Sequence, residues 1–154
     1  MSEPTKRGEH DDSGDLSIKD IAKIMRKQDI AMFATRHGDD VAVRPMSNNQ
    51  DVEFDGDTYF FTTDDTLTVA DIKAHPRVSC NYRDVDEDQF IALSGEATLH
   101  TDRDLQEKHW QEHMSQWFED GLDTDGLTLI KVHAERVHYW VGRKEGEIVM
   151  DAAG

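Results

Sequence analysis

Two runs of β-type residues, 30–36 and 41–46, are separated by Gly38-Asp39-Asp40. Glycine and aspartate tolerate the positive-φ positions of a tight turn, so this spacing predicts a β-hairpin. The hairpin constrains the fold more than any other feature, because it commits two strands to antiparallel pairing. Further β-type runs follow at residues 58–63, 78–82, 90–100 and 127–140, the first of them after the turn Asp55-Gly56-Asp57. Helices interrupt this series rather than alternate with it. One is expected behind Ser17, with Asp20 three residues on as a variant capping box and Ile18, Ile21, Ala22 and Met25 on one face. A second is expected over residues 67–75, ended by Pro76, and a longer third, capped by Asp102, runs to about Phe118. No internal repeat or linker divides the chain. A disordered acidic tail over residues 1–15 and one domain over 16–150 are expected. The fold class is mainly β (α+β), an antiparallel barrel of six strands with flanking helices.

Charge narrows the partners. The chain carries 17 Lys+Arg against 33 Asp+Glu, a formal net charge of −16. Such a field repels phosphate backbones and anionic bilayers, so neither nucleic acid nor membrane is an expected partner. Asp outnumbers Glu 22 to 11. That preference fits a surface working in concentrated salt, where screening tolerates self-repulsion; an ordinary solvated acidic surface fits equally well. The single cysteine, Cys80, permits no internal disulfide and reads as a small buried strand residue. No stretch approaches the ~20 apolar residues that span a bilayer, and residues 1–15 have no apolar segment, so a cytoplasmic location is expected.

Several short motifs carry chemistry. His109-Trp110-Gln111-Glu112-His113 has the H-x-x-E-H spacing that sets two zinc-binding histidines on one helix face; an exposed amphipathic helix explains it as well. Asp84-Val85-Asp86-Glu87-Asp88 opens like a calcium loop, but Gln89 and Gly95 stand where that loop needs Gly and Glu, so a solvated hairpin tip is expected. In Tyr59-Phe60-Phe61-Thr62-Thr63-Asp64-Asp65-Thr66-Leu67-Thr68, a strand delivers aromatics and hydroxyls to a helix start. Free N–H groups there seat phosphates, while plain N-capping by Asp65 or Thr66 is the alternative. Arg44-Pro45-Met46 places a proline inside a strand, which marks an edge or a cleft, beside a cation suited to an anionic ligand.

Together with His75-Pro76-Arg77-Val78, Ser94-Gly95-Glu96-Ala97, Trp117-Phe118 with Asp120-Gly121 and Asp125, and Ala134-Glu135-Arg136-Val137-His138-Tyr139-Trp140, these motifs resemble the FMN-binding split-barrel family that includes pyridoxamine 5′-phosphate oxidase. The resemblance covers residues 16–142 and is nearest to the general stress protein branch. It implies a six-stranded antiparallel split β-barrel with flanking helices, forming a homodimer with FMN in a groove at each end of the subunit interface. Arg44, Pro45 and Met46 would lie along the ribityl chain and isoalloxazine, and Phe61, Thr62 and Thr63 by the ring and its polar edge. Thr66 and Thr68 fall where the family offers a hydroxyl and a lysine to the phosphate. Trp140 would approach the flavin from the partner subunit, with Gln89 reaching the ring edge.

Two departures shape the expected function. Thr68 replaces the phosphate lysine, so either FMN binds weakly or Arg44 and backbone amides hold the anion; charge-assisted bonds are roughly twice as strong as neutral ones. After Trp140, Val141-Gly142-Arg143-Lys144-Glu145-Gly146-Glu147 does not match the substrate-gripping segment of the oxidases, so vitamin B6 synthesis is not expected. A flavin-dependent oxidoreductase and a non-catalytic flavin-buffering stress protein both stay open, as do FAD and a deazaflavin in place of FMN. No catalytic residue is named. A zinc hydrolase built on His109 and His113 is the remote third reading.

Overall fold

A computed structural model describes residues 15–49 and 54–150. Apart from Asp15, the tail expected over 1–15 lies outside the described residues. The first helix, α1 (Ile18–Arg26), starts as its sequence dictates. Ser17 Oγ accepts from the Asp20 amide, while the Asp20 carboxylate accepts from the Ser17 amide and hydroxyl. Its apolar face, including Ile21, Ala22, Ile24 and Met25, is buried.

The hairpin forms as expected. Strand β1 (Ile30–His37) pairs antiparallel with β2 (Asp40–Ser47) in a register ending at His37–Asp40, and Gly38 supplies φ +60° in the two-residue loop. Next come β3 (Asp57–Thr63), the helix α2 (Leu67–Ala74), β4 (Arg77–Asp84) and β5 (Gln89–His100). Pro76 stops α2 as predicted, leaving His75 extended. Strand β6 (Leu127–Val141) is the longest, and β7 (Lys144–Val149) closes the described chain. All strands join one antiparallel sheet in the order β2-β1-β4-β5-β6-β3, with β7 also on β6. Two strands share one edge of β6 end to end: β3 pairs with its first half, through His133, and β7 with its second, from Arg136. The sheet is therefore curled and open, a split barrel.

The inner face holds Phe33, Phe60, Ile91, Leu93, Ile130, Val132 and Val137, with Phe33 and Phe60 edge to face at 5.2 Å. Gly95, in the Ser94-Gly95-Glu96-Ala97 motif, sits at a register shift between β5 and β6, where a Cβ would run into the His133 carbonyl. Only glycine permits that close backbone approach.

Two expectations need correction. The sheet has a seventh strand, because β7 is polar and gains its order from pairing with β6, aided by Arg136–Glu147 and His138–Glu145 contacts of 2.7 and 2.8 Å. The long helix from Asp102 to Phe118 is also broken. Helix α3 (Arg103–His109) ends at His109, Trp110 and Gln111 are extended, and a 3₁₀ turn spans Glu112–Gln116. Nor does the Asp102 side chain cap α3. The Trp110 ring packs on Phe61 and Phe118 in a second small core, and helical continuation would not place it there. His109 and His113 thus share no helix face, and the zinc reading loses its geometric basis. Instead His109 is buried and stacked on Tyr59 at 3.6 Å, with both ring nitrogens unbonded.

Burial, with Lys108 and Lys131 nearby, lowers the His109 pKa. The unfolded chain therefore takes up a proton first as pH falls below about 6.5, and folded stability drops over that range. His109→Phe keeps the stacked ring and removes two unsatisfied nitrogens. It should raise stability by about 1 kcal/mol at pH 8, and by more at pH 5, in urea unfolding at the two pH values.

Candidate functional site

Arg44 lies on β2 opposite Phe33, at one end of the sheet order, where the missing N–H of Pro45 is tolerated. Strand alternation brings Phe33, Thr35 and His37 of β1 to the same side as Arg44. The guanidinium donates through Nη1 to Thr35 Oγ1 at 2.8 Å and to the Phe33 carbonyl at 3.3 Å. Its Nη2 donates to Asp71 Oδ2 at 3.4 Å.

Asp71 organises this cluster. It projects from α2 with only 4% of its side chain exposed. Thr35 donates to Oδ2 at 2.7 Å, and His37 Nδ1 donates to Oδ1 at 2.6 Å. Burial alone would raise the Asp71 pKa; the hydrogen bonds from His37 and Thr35 and the charges of His37 and Arg44 overcome it and hold the carboxyl below its ordinary range. Arg44 therefore does not stand as an uncommitted cation. One Nη2–carboxylate contact is taken, while the guanidinium keeps further N–H donors and one-fifth of its side-chain surface.

The hydroxyl-rich segment leads directly into α2. Thr66 caps it, accepting from the Val69 amide at 3.4 Å and donating to the Thr63 carbonyl at 2.9 Å. Thr62 meets Thr66 hydroxyl to hydroxyl at 3.2 Å, and Thr63 donates to Asp65 at 2.6 Å. The N-capping alternative is therefore realised by Thr66. Thr68 is buried, three residues before Asp71, on the same helix face. The Phe61 ring is committed to the second core against Trp110. Met46 is partly buried against the main core.

Trp140 lies elsewhere. On β6 it pairs with Phe90 and Glu145, whereas Leu127, at the start of the same strand, pairs with Thr63. Thirteen residues of strand amount to roughly 40 Å along the chain. One copy of the chain therefore does not bring Trp140 to the Thr62–Thr66 segment. Trp140 stacks on His138 at 4.1 Å and, with Met32 and Phe90, lines an open groove of about 350 Å³. Gln89 begins β5 beside this end, opposite Val141.

Thr35, His37 and Asp71 escaped the sequence reading. Their only local signal is an aspartate set among buried positions of α2, between Val69 and Ile72.

A family model described as pyridoxamine 5′-phosphate oxidase like matches residues 17–152. Protein bli-3 of Neurospora crassa is 24% identical over 140 residues, 84% of this chain and 67% of that protein. Among solved structures, a Clostridium acetobutylicum protein related to general stress protein 26 has a TM-score of 0.76 at 17% identity, covering 87% of this chain and 94% of that one. The general stress FMN/FAD binding protein of Xanthomonas citri has a TM-score of 0.71 at 21% identity, covering 88% and 94%. At these identities the two structures establish the shared fold.

The Asp71 cluster makes a direct prediction about stability. Asp71→Ala leaves Thr35, His37 and the Nη2 of Arg44 without their shared acceptor and should cost about 2 kcal/mol in chemical denaturation. Because the folded carboxyl titrates below its unfolded counterpart, the contribution is present above about pH 4 and lost as pH falls further. The acid limb of the stability profile should therefore flatten in Asp71→Asn.

Proposed function

The chain belongs to the pyridoxamine 5′-phosphate oxidase-like family, and from that membership we propose that it is a flavin-binding split-barrel protein of the general stress type, with FMN as its cofactor. The observation that carries this reading is the convergence of β2 and α2. Arg44 is tied to α2 through Asp71, while the hydroxyls of Thr62 and Thr66 meet at the start of the same helix and Thr63 donates to Asp65 there. A guanidinium beside hydroxyls and a helix start is a donor set suited to an anionic phosphate tail. In this reading Arg44, Pro45 and Met46 follow the ribityl chain and ring, Phe61, Thr62 and Thr63 the ring edge, and Thr66 and Thr68 the phosphate end.

The site is completed by a second copy of the chain. Trp140 is far along β6 from Thr63, so its contribution to the flavin comes from the partner. The outer face of the first hairpin supports such a homodimer: Ile30, Met32, Val41 and Val43 are all exposed there. Four large apolar side chains on one face of a hairpin are costly to leave in water.

Bound flavin supplies hydride or electron acceptance at its ring; this chain's residues hold and orient it. Arg44, Thr62 and Thr63 bind and tune by hydrogen bonding. The segment after Trp140 folds back through Gly142 into β7, in keeping with an activity other than pyridoxamine phosphate oxidation. Either a flavin-dependent oxidoreductase or a non-catalytic flavin buffer follows, and turnover of NAD(P)H by the loaded protein separates them.

Titration of the purified protein with FMN, FAD and a deazaflavin should show FMN bound with a Kd below about 100 μM, roughly 5.5 kcal/mol; no saturable binding by any of the three would refute the reading. Val43→Asp should give a monomer in light scattering and weaken FMN at least tenfold, whereas a monomeric variant with undiminished affinity would remove the partner's role.

A further inference from the structure

His37 has a role that nothing in the hairpin's own folding requires. Its Nδ1 is fixed on the buried Asp71 carboxylate at 2.6 Å, yet 53% of its side chain is exposed. With Nδ1 donating, Nε2 lies on the outward edge of the ring and has no hydrogen-bond partner among the described residues. Arg44 is anchored on the other oxygen of the same carboxylate. The two side chains are thus held together by one rigid acceptor, as a buried aspartate fixes the tautomer and orientation of a histidine.

Charge arithmetic at this spot favours a second cation. Arg44 and Asp71 offset one another at short range, and Asp64 and Asp65 on the turn before α2 add negative charge. A phosphate monoester would meet no net positive charge from these four groups alone. Thr68, where resemblance to the family puts a phosphate lysine, is buried and neutral. It lies three residues before Asp71 on the same face of α2, which puts their Cβ atoms about 5–6 Å apart. The Asp71-held pair of His37 and Arg44 therefore adjoins the place where charge is missing.

We propose that His37, oriented by Asp71 and set beside Arg44, shares a proton with the phosphate of bound FMN through Nε2 and supplies the contact that Thr68 does not. His37 and Arg44 form the phosphate seat; Asp71 is its positioning residue, fixing both through opposite carboxylate oxygens. The proposal rests on the flavin reading given above and assigns its phosphate contact to a residue outside the family motifs.

The test compares FMN with riboflavin, which shares the ring and ribityl chain and lacks the phosphate. Dissociation constants for both are measured by flavin fluorescence on the unaltered protein, His37→Gln and His37→Lys. His37→Gln keeps a hydrogen-bonding side chain of similar reach without the imidazole. It should weaken FMN about tenfold and leave riboflavin within twofold. His37→Lys should retain most of the preference for FMN, and Thr68→Lys added to His37→Gln should restore it. An FMN-to-riboflavin ratio unchanged in His37→Gln would overturn the assignment while leaving the flavin site standing. Equal affinity of the unaltered protein for FMN and riboflavin would overturn it too, by placing the pair away from the flavin phosphate. Binding of neither flavin by the unaltered protein would remove the flavin reading and this assignment with it.

Discussion

A buried carboxylate holds one end of this barrel together. Asp71 enters the interior from α2 and is satisfied by a hydroxyl, an imidazole N–H and a guanidinium, all borne by the first hairpin. An ionised group in such a place is tolerated only when paired and hydrogen-bonded, and here three donors meet two oxygens. The same bonds fix the position of α2 against β1 and β2. They also set the direction of Arg44, so the packing of the helix and the geometry of the candidate site are one interaction.

That arrangement reconciles an acidic protein with the anionic ligand proposed for it. A net charge of −16 describes the surface as a whole, and within a Debye length of about 8–10 Å local groups dominate. Around α2, one guanidinium, one imidazole and a cluster of hydroxyls stand against Asp64, Asp65 and Asp71. The balance is finer than a lysine at position 68 would make it, which is why single residues in this cluster are expected to have measurable effects on the proposed ligand.

Local chemistry was legible and long-range chemistry was not. The Ser17–Asp20 capping box, the Gly38 turn, the Pro76 stop and the Thr66 cap each depend on residues within about four positions of one another, and all form as their sequence implies. The break after His109 does not, because it exists to seat Trp110 between Phe61 and Phe118, which are 49 residues before it and eight after. Strand β7 was invisible for a related reason: residues 144–149 carry little apolar periodicity, and their order comes from the ladder with β6. At the candidate site, Arg44 and the threonines were proposed from motif and spacing. His37 and Asp71 were not, since a histidine at a hairpin end and an aspartate in a helix are ordinary until the fold brings two positions 34 apart in the chain to 2.6 Å.

By itself, then, the sequence determined the family, the antiparallel hairpin-based class of fold, the caps and stops of α1 and α2, and the residue types that recommend a flavin. Each of these is encoded by short-range spacing or by an ordered set of motifs. Tertiary structure alone decided that His109 and His113 part company, that Trp140 stands a strand's length from Thr63, and that Arg44 shares its charge with Asp71. Those outcomes depend on which distant groups share a buried volume, and burial makes polar groups choose partners that no local pattern specifies.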